Sequence, residues 1–152
     1  MKVLIIADLG ETLDLAMHIQ DEGHDVQMWI KTPDDRDIGD GIVPKVKAWQ
    51  SAAKSADLII FEDVGMGGVA EKLRNMGKAV IGGSRFTDRL ENDRIFGLEA
   101  MRTARIRVPE YHRFNNFDAA KALVKKTKKR YVFKPYGQLP RIFTHVADDM
   151  DD

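Results

Sequence analysis

The sequence has 152 residues, enough for one domain with a buried core, or for one domain and the start of another. Its 24 Lys and Arg residues balance its 24 Asp and Glu residues, so no global charge draws the chain to nucleic acid or to an anionic membrane. It has no cysteine, which excludes disulfides, thiolate metal sites and a cysteine nucleophile. No apolar run reaches the length of about 18 residues that a membrane-spanning helix needs, and the N-terminus lacks a signal-peptide pattern. We therefore expect a soluble, cytoplasmic protein.

Four short apolar runs predict strands that are buried on both faces, because their hydrophobic residues are continuous rather than alternating. They cover residues 2–6, 25–30, 57–61 and 78–82. Between the first two runs, residues 11–23 have helical periodicity, with one face formed by Leu13, Ala16, Met17 and Gln20. Further helices are predicted over 45–55 and 69–77, and Trp29 and Trp49 are expected to pack in the core. This alternation predicts an α/β fold: a Rossmann-like, doubly wound parallel sheet that binds ligands at its carboxyl edge.

The pattern changes after Gly82. Helices are predicted over 87–90, 92–103 and about 118–126, followed by a strand that carries Lys134. The acidic stretch at 144–152 is typical of the opening turn of a helix. We place the boundary between two modules near residues 108–117.

Turns at the carboxyl ends of the predicted strands carry the candidate substrate-binding residues. These are Gly10, Glu11, Glu62, Asp63, Gly67 and Ser84. Backbone N–H groups of such turns bind phosphate, and acids at a strand end contact ligands. Each feature also has a purely structural explanation: a tight turn at Gly10 that lacks the GxGxxG pattern, solvated acids after the third strand, and backbone freedom in "GMGG".

The histidines and a run of cations are two further groups of candidate functional residues. The four histidines show no metal-ligand spacing, so we assign no metal site. The cations between Lys125 and Arg130 would suggest nucleic acid binding in isolation, but at a helix C-terminus they favour a role in offsetting the helix dipole. We therefore expect no nucleic acid partner and no membrane partner.

One resemblance is to the phosphate-accepting receiver domains of signalling proteins. "KVLIIAD" ends on Asp8, Ser84 follows the fourth strand, and "FKP" supplies Lys134. The acceptor position would be Glu62, whose extra methylene displaces the carboxylate, and Asp8 lacks the second acid that a magnesium site needs. Ser84 and Lys134 are also 50 positions apart, too far for neighbouring strands linked by one short helix. A receiver-like signalling domain is therefore the less favoured alternative.

A second resemblance covers roughly residues 1–137. Residues 77–101, "GKAVIGGSRFTDRLENDRIFGLEAM", resemble without a gap the segment of glycinamide ribonucleotide synthetase (phosphoribosylamine–glycine ligase), an ATP-grasp ligase, that leads from its N-terminal domain to its ATP-binding part. In that family a strand ending in Gly-Pro-Ser precedes a helix with Leu-Glu-x-x-Lys-x-Phe, and a later strand ends in Val-Lys-x-x-Gly. The matching positions here are Gly82, Ser84, Leu90, Glu91, Arg94, Phe96, Met101, Pro109, Lys134 and Gly137.

The resemblance implies an enzyme that joins an amine to a carboxylate through an acyl phosphate, with ATP and Mg²⁺ as cofactors of the complete protein. Its default substrates are phosphoribosylamine, or a similar amine, and glycine, or a similar acid. Lys134 would bind ATP phosphates, as would Arg94, which stands where the family usually has lysine. Residues 1–107 would form the substrate domain, and residues 108–152 a linker and the first part of an ATP-grasp subdomain, apparently truncated.

The sequence also departs from this family. The glycine-rich loop that follows the ATP-binding lysine is absent, and the family's later magnesium ligands would lie beyond residue 152. A non-catalytic phosphate- or nucleotide-binding module therefore remains an alternative to an active ligase.

We predict that the 152-residue chain by itself hydrolyses no ATP and forms no amide, because these parts of the ATP site are missing from it. A coupled assay for ADP release, with glycine and phosphoribosylamine present, measures this. Release well above that of a Lys134→Ala control would contradict the prediction.

Overall fold

A computed structural model describes residues 1–135 and 144–148. The chain folds as two compact units, Met1–Arg89 and Leu90–Asp152, and each is described by itself. Gly137, one of the positions that match the ligase family, lies outside the described residues. The assignment of residues 1–107 to a substrate domain and of 108–152 to an ATP-grasp subdomain stays a prediction.

The first unit is built on a four-stranded parallel sheet. Its strands are β1 (Lys2–Ala7), β2 (Asp25–Ile30), β3 (Leu58–Phe61) and β4 (Ala79–Ile81), in the order β2-β1-β3-β4. In the centre of the sheet Ile5 is in register with Met28 on one side and with Ile60 on the other. The predicted Rossmann-like α/β fold is confirmed.

Helix α1 (Leu13–Asp21) covers one face of this sheet, and α2 (Trp49–Ser55) and α3 (Gly67–Asn75) cover the other. Helix α4 (Arg85–Asn92) follows β4, and a 3₁₀ turn lies at Pro33–Asp35. Helix α2 is four residues shorter at its start than predicted, and residue Lys45 instead pairs with the backbone of Met28 as an isolated bridge. Pairing with the sheet competes there with local helix propensity and prevails.

The core consists of two hydrophobic clusters, one on each face of the sheet, because successive side chains of a strand point to opposite faces. Val3, Ile5 and Ala7 of β1 face a cluster that includes Ala16 of α1. Leu4 and Ile6 face the other cluster, which the following residues of α2, α3 and the sheet complete: Ala53, Ala56, Ile59, Phe61 and Ala70. Every residue of β1 after Lys2 is buried.

Three side chains test the predicted core. Trp29 and Trp49 pack against the second cluster, as predicted. The expected burial of Met17 is wrong, because its side chain is 39% exposed. The stripe of α1 that meets the sheet runs instead through Leu13, Ala16 and Ile19, at the three-residue spacing that places side chains on one helix face.

The second unit contains α5 (Arg94–Thr103), α6 (Phe117–Thr127), β5 (Val132–Phe133) and β6 (His145–Val146). Asp93 and Asn116 cap the two helices, accepting hydrogen bonds from the backbone N–H groups of Phe96 and Ala119. The predicted opening turn of a helix at residue 144 is wrong, because His145 and Val146 pair antiparallel with β5. This pairing depends on a partner strand about twelve residues away, which a local acidic pattern does not reveal.

Candidate functional site

The carboxyl edge of the four-stranded sheet gathers the ends of β1, β2 and β3. A shallow, open depression lies there, and its lining includes both charged and apolar side chains: Ile6, Ala7, Asp8, Lys31, Phe61, Asp63, Val64 and Met66. The parallel strands bring these chain segments together because all of them end at the same edge. This edge is the candidate functional site.

Gly10 forms the turn between β1 and α1 and is buried. Its φ is +93°, and a Cβ added there would lie 3.1 Å from Cδ1 of Ile30. The left-handed conformation and the close approach both require glycine. The turn thus has a structural reason for its glycine, and its predicted role in substrate binding stays a prediction.

Asp8, at the end of β1, is neutralised by a cation that the sequence analysis did not select. Lys31 Nζ, at the end of β2, lies 3.1 Å from Asp8 Oδ1. The hydroxyl of Thr32 also donates to Asp8 Oδ1, at 3.5 Å. Lys31 follows the second strand directly, and that position was the signal that could have pointed to it.

Glu62 is the half-buried acid at the end of β3, and Glu11 lies close to it in the turn after β1. Burial raises the pKa of Glu62, and the negative charge of Glu11 and a side-chain hydrogen bond with Glu11 raise it further, while a hydrogen bond from the backbone N–H of Asp8 acts in the opposite direction. Oε2 of Glu62 is buried and accepts no hydrogen bond within the described part of the chain, and the same holds for the Thr12 hydroxyl oxygen.

This arrangement has a definite chemical preference. A buried carboxylate oxygen that lacks a donor is costly, and a second carboxylate nearby adds repulsion. A ligand that supplies N–H donors or positive charge satisfies the unpaired oxygen and reduces the repulsion between the two carboxylates. Glu62 and Glu11 therefore favour an amine over a phosphate at this point of the edge.

The glycine-rich loop between β3 and α3 already holds an anion from the protein itself. The backbone N–H groups of Gly65 and Gly67 donate to the Asp88 carboxylate, at 2.9 and 2.8 Å. A Cβ at Gly67 would lie only 2.2 Å from the carbonyl oxygen of Ser84, so glycine is needed there for close packing. The amides that were expected to bind substrate phosphate through Gly67 are occupied by Asp88.

Ser84 acts at the start of α4. Its Oγ accepts from the backbone N–H of Thr87 at 3.1 Å, and its own N–H donates to the Thr87 hydroxyl at 2.6 Å. These reciprocal bonds are those of a helix cap. Substrate contact by Ser84 remains a prediction.

Arg74 supports this side of the edge and was not found from the sequence. Its guanidinium, on α3, donates to the carbonyls of Gly82 at 2.6 Å, Gly83 at 2.9 Å and Val80 at 3.3 Å. It thereby fixes the turn that leads from β4 to Ser84. An arginine near a helix C-terminus carries no sequence signal for such a role.

The remaining predicted residues divide between exposed surface and the second unit. Asp63 is exposed, and its Oδ1 accepts from the N–H of Val64. Arg94 begins α5 and Lys134 follows β5, and both are exposed. Within residues 1–135 and 144–148, no group of three His, Asp or Glu side chains is arranged to hold a metal ion. No helix in this part of the chain is long and apolar enough to cross a membrane.

Comparisons with known proteins identify relatives in structure only. Neither a protein-family model nor a curated protein sequence matches the chain. It is similar to N5-carboxyaminoimidazole ribonucleotide synthetase from Thermotoga maritima, with a TM-score of 0.65 and 18% identity. It is also similar to N5-carboxyaminoimidazole synthetase from Staphylococcus aureus complexed with ADP, with a TM-score of 0.67 and 14% identity.

Both matches cover 99% of this chain and 42% of the other, in the N-terminal part of the synthetases. The chain thus spans less than half the length of the structures it matches. At this level of identity the likeness establishes the fold alone, a Rossmann-like α/β fold with the parallel strand order β2-β1-β3-β4.

We predict that Glu62→Gln removes a pH-dependent loss of stability. Because the pKa of Glu62 is higher in the folded protein than its ordinary value of 4.5, the folded state binds the proton more tightly, and the free energy of unfolding falls as pH rises through that window. Urea unfolding between pH 4 and 7 should show Glu62→Gln gaining stability relative to wild type as pH rises. The exposed Glu22→Gln is the control, and an equal trend in both variants would contradict the prediction.

We also predict that Gly67→Ala lowers the free energy of unfolding by about 1–3 kcal/mol, because its Cβ would overlap the Ser84 carbonyl. Gly68→Ala is the matched control: its Cβ would meet only the flexible Arg85 side chain, at 2.9 Å from Nε. Chemical denaturation compares the two. If Gly67→Ala lowers the free energy of unfolding no more than Gly68→Ala does, the close packing of Gly67 against the Ser84 carbonyl does not require glycine, and the prediction is contradicted.

Proposed function

We propose that this chain is the N-terminal, substrate-side part of an ATP-dependent carbon–nitrogen ligase of the ATP-grasp class. The observation that carries the proposal is the fold match over 99% of the chain to two synthetases, one of them complexed with ADP. The resemblance of residues 77–101 to an ATP-grasp ligase supports it independently, because that resemblance depends on side chains rather than on backbone shape.

The substrate we propose is an amine carried by a phosphorylated ribose. Glycinamide ribonucleotide synthetase, the family that the sequence resembles, and N5-carboxyaminoimidazole ribonucleotide synthetase, which the fold resembles, both attach a carboxyl-derived carbon to the nitrogen of such a compound. Phosphoribosylamine with glycine is one pair within this class, and an aminoimidazole ribonucleotide with a one-carbon acid is the other. The comparisons support this class of substrate and favour neither of the two pairs over the other.

Glu62 and Glu11 are proposed to receive the amine. The buried, donor-free Oε2 of Glu62 and the adjacent Glu11 carboxylate would accept its N–H groups. Gly10 and Ser84, with Asp63 and Gly67, would lie around the rest of the substrate. Because Asp88 occupies the amides of Gly65 and Gly67, phosphate binding at that loop would require the Asp88 carboxylate to leave.

ATP and Mg²⁺ are proposed as cofactors of the complete enzyme. Arg94 and Lys134 are the cations we propose for the ATP phosphates, and their exposure leaves both guanidinium and ammonium groups accessible. A cytoplasmic location accompanies this proposal.

The receiver-like alternative has less support. The strand order β2-β1-β3-β4 suits it, but Asp8 is paired with Lys31 rather than with a second acid. Within the described residues, β5, which precedes Lys134, pairs with β6 and not with the four-stranded sheet. The lysine that such a domain needs beside its phosphate acceptor is thus absent from this sheet.

We predict that an amine-bearing sugar phosphate binds the carboxyl edge more tightly than ribose 5-phosphate. Titrating aminoimidazole ribonucleotide into labelled protein should shift the amide signals of Gly10, Glu11 and Glu62. Loss of one charged contact costs about 1.5–3 kcal/mol, so Glu62→Gln should weaken this ligand roughly 10- to 100-fold.

Ribose 5-phosphate and Glu22→Gln provide the two controls for this titration. Ribose 5-phosphate should lose little affinity in Glu62→Gln, and Glu22→Gln should leave both ligands unchanged. Equal affinity of wild type and Glu62→Gln for the amine would refute the assignment of Glu62. Shifts confined to residues 125–130 would refute the substrate site as a whole.

A further inference from the structure

The charge of this chain is distributed very unevenly, although its total is zero. Residues 94–134 contain twelve Lys and Arg residues against three Asp and Glu residues, a net charge of +9 over 41 positions. The proposed ATP contacts use only Arg94 and Lys134. The other ten cations of this segment have no part in the proposed function.

Six of these cations form a basic strip at the end of α6: Lys121, Lys125, Lys126, Lys128, Lys129 and Arg130. All six side chains are exposed. Lys121 and Lys125 are four residues apart and so lie on one side of α6. Arg130 donates to the carbonyl of Ala147 at 2.8 Å, which ties the end of the strip to the residue after β6.

The helix dipole accounts for only part of this strip. Lys125 and Lys126 lie in the last turn of α6, where a cation offsets the partial negative charge of the helix end. Lys128 is already the cap residue, with φ +50°, and Lys129 and Arg130 follow in non-helical backbone. The dipole effect falls off within the last turn, so three cations remain without this explanation.

Aromatic rings occur in the same unit, after the basic strip in the chain and at the start of α6. Tyr131, which is half-buried, follows Arg130 directly, and its ring contacts that of His112 edge-on, at 6.1 Å between centroids. Phe114 is 42% exposed and lies 6.4 Å from His112. Phe117 and Phe133 contact each other at 5.8 Å and are 67% and 43% exposed. The exposed, contacting rings of Phe117 and Phe133 form an apolar patch, and contiguous patches of this kind mark interaction surfaces.

In place of the expectation from the sequence that the chain has no nucleic acid partner, we propose that the basic strip and the rings of Phe114, Phe117 and Phe133 bind single-stranded nucleic acid without sequence preference. Lysines supply contacts to successive phosphates, while unstacked bases can pack on exposed aromatic faces. Both chemistries occur together here, and single-stranded nucleic acid is the polymer that presents both phosphates and free π-faces.

An anionic membrane fits this surface less well. A helix that lies in a membrane interface concentrates its apolar residues along one face. Phe117 begins α6, whereas the lysines lie at its other end and on adjacent sides, at positions 125 and 126. The apolar and basic groups are thus arranged along the helix rather than on opposite faces.

Fluorescence anisotropy with a labelled oligo(dT) of about 20 nucleotides tests the proposal on the whole chain. Each phosphate contact contributes about −0.7 to the slope of log affinity against log salt. A variant with Lys125, Lys126, Lys128 and Lys129 all changed to Glu should lose at least 100-fold in affinity and most of the salt slope. The matched control changes the exposed Lys2, Lys47, Lys54 and Lys72 to Glu and should lose less than about threefold. Circular dichroism verifies that both variants are folded.

Phe114→Ala tests the contribution of stacking, with Phe114→Tyr as its conservative counterpart. We expect roughly 5- to 100-fold weaker binding in Phe114→Ala and near wild-type binding in Phe114→Tyr. Inorganic polyphosphate should compete less well than oligo(dT) at equal phosphate concentration.

Four results would overturn the proposal. The first is an equal loss of oligo(dT) affinity in the two charge variants, and the second is equal competition by polyphosphate and oligo(dT) together with unchanged affinity in Phe114→Ala. The third is tighter binding of the protein to phosphatidylserine vesicles than to oligo(dT). The fourth is full displacement of oligo(dT) by millimolar ATP. The last result would assign the strip to the nucleotide site of the ligase. The amine-binding test at Glu62 is independent of all four, so failure of one proposal is distinguishable from failure of the other.

Discussion

Burial of β1 on both faces is the constraint on which the first unit depends. Because Val3 and Ile5 face one cluster while Leu4 and Ile6 face the other, β1 must lie inside the sheet, with helices on both sides. Its neighbours β2 and β3 are parallel to it, so all three strands end at the same edge. Asp8, Lys31 and Glu62 come together at this edge because each follows one of these strands.

The edge is acidic, and the structure neutralises its acids by different means. Lys31 pairs with Asp8, and the amides of Gly65 and Gly67 hold Asp88. Glu62 and Glu11 lie close together, and Oε2 of Glu62 has no donor among the described residues. The electrostatics of the edge therefore single out these two carboxylates as the place where an amine would gain most.

The second unit differs from the first in how far its hydrophobic side chains are buried. All buried hydrophobic side chains of the described residues lie between Val3 and Ala70, within the first unit. The second unit instead exposes Phe117, Val132 and Phe133, and its helix α6 ends in a strongly basic segment. A two-stranded ribbon such as β5–β6 is marginally stable alone.

The amino-acid sequence by itself determined the α/β alternation, the four parallel strands and the residues that end them, because continuous apolar runs and cap residues are local signals. It also pointed to Glu62 and Glu11 as separate strand-end and turn residues. Only the tertiary structure decided that these two carboxylates share one environment, because their proximity depends on the pairing of β1 with β3.

The same distinction explains the errors and the omissions. Met17 shares the polarity of a core residue, but α1 meets the sheet through Leu13, Ala16 and Ile19 and leaves Met17 exposed. Asp88 and Arg74 are ordinary helix residues in the sequence, and Gly67 looks like a phosphate-binding glycine. Only the folded chain brings the Asp88 carboxylate to the amide of Gly67 and the Arg74 guanidinium to the carbonyls of Gly82 and Gly83, because hydrogen bonds between distant segments have no periodicity along the chain.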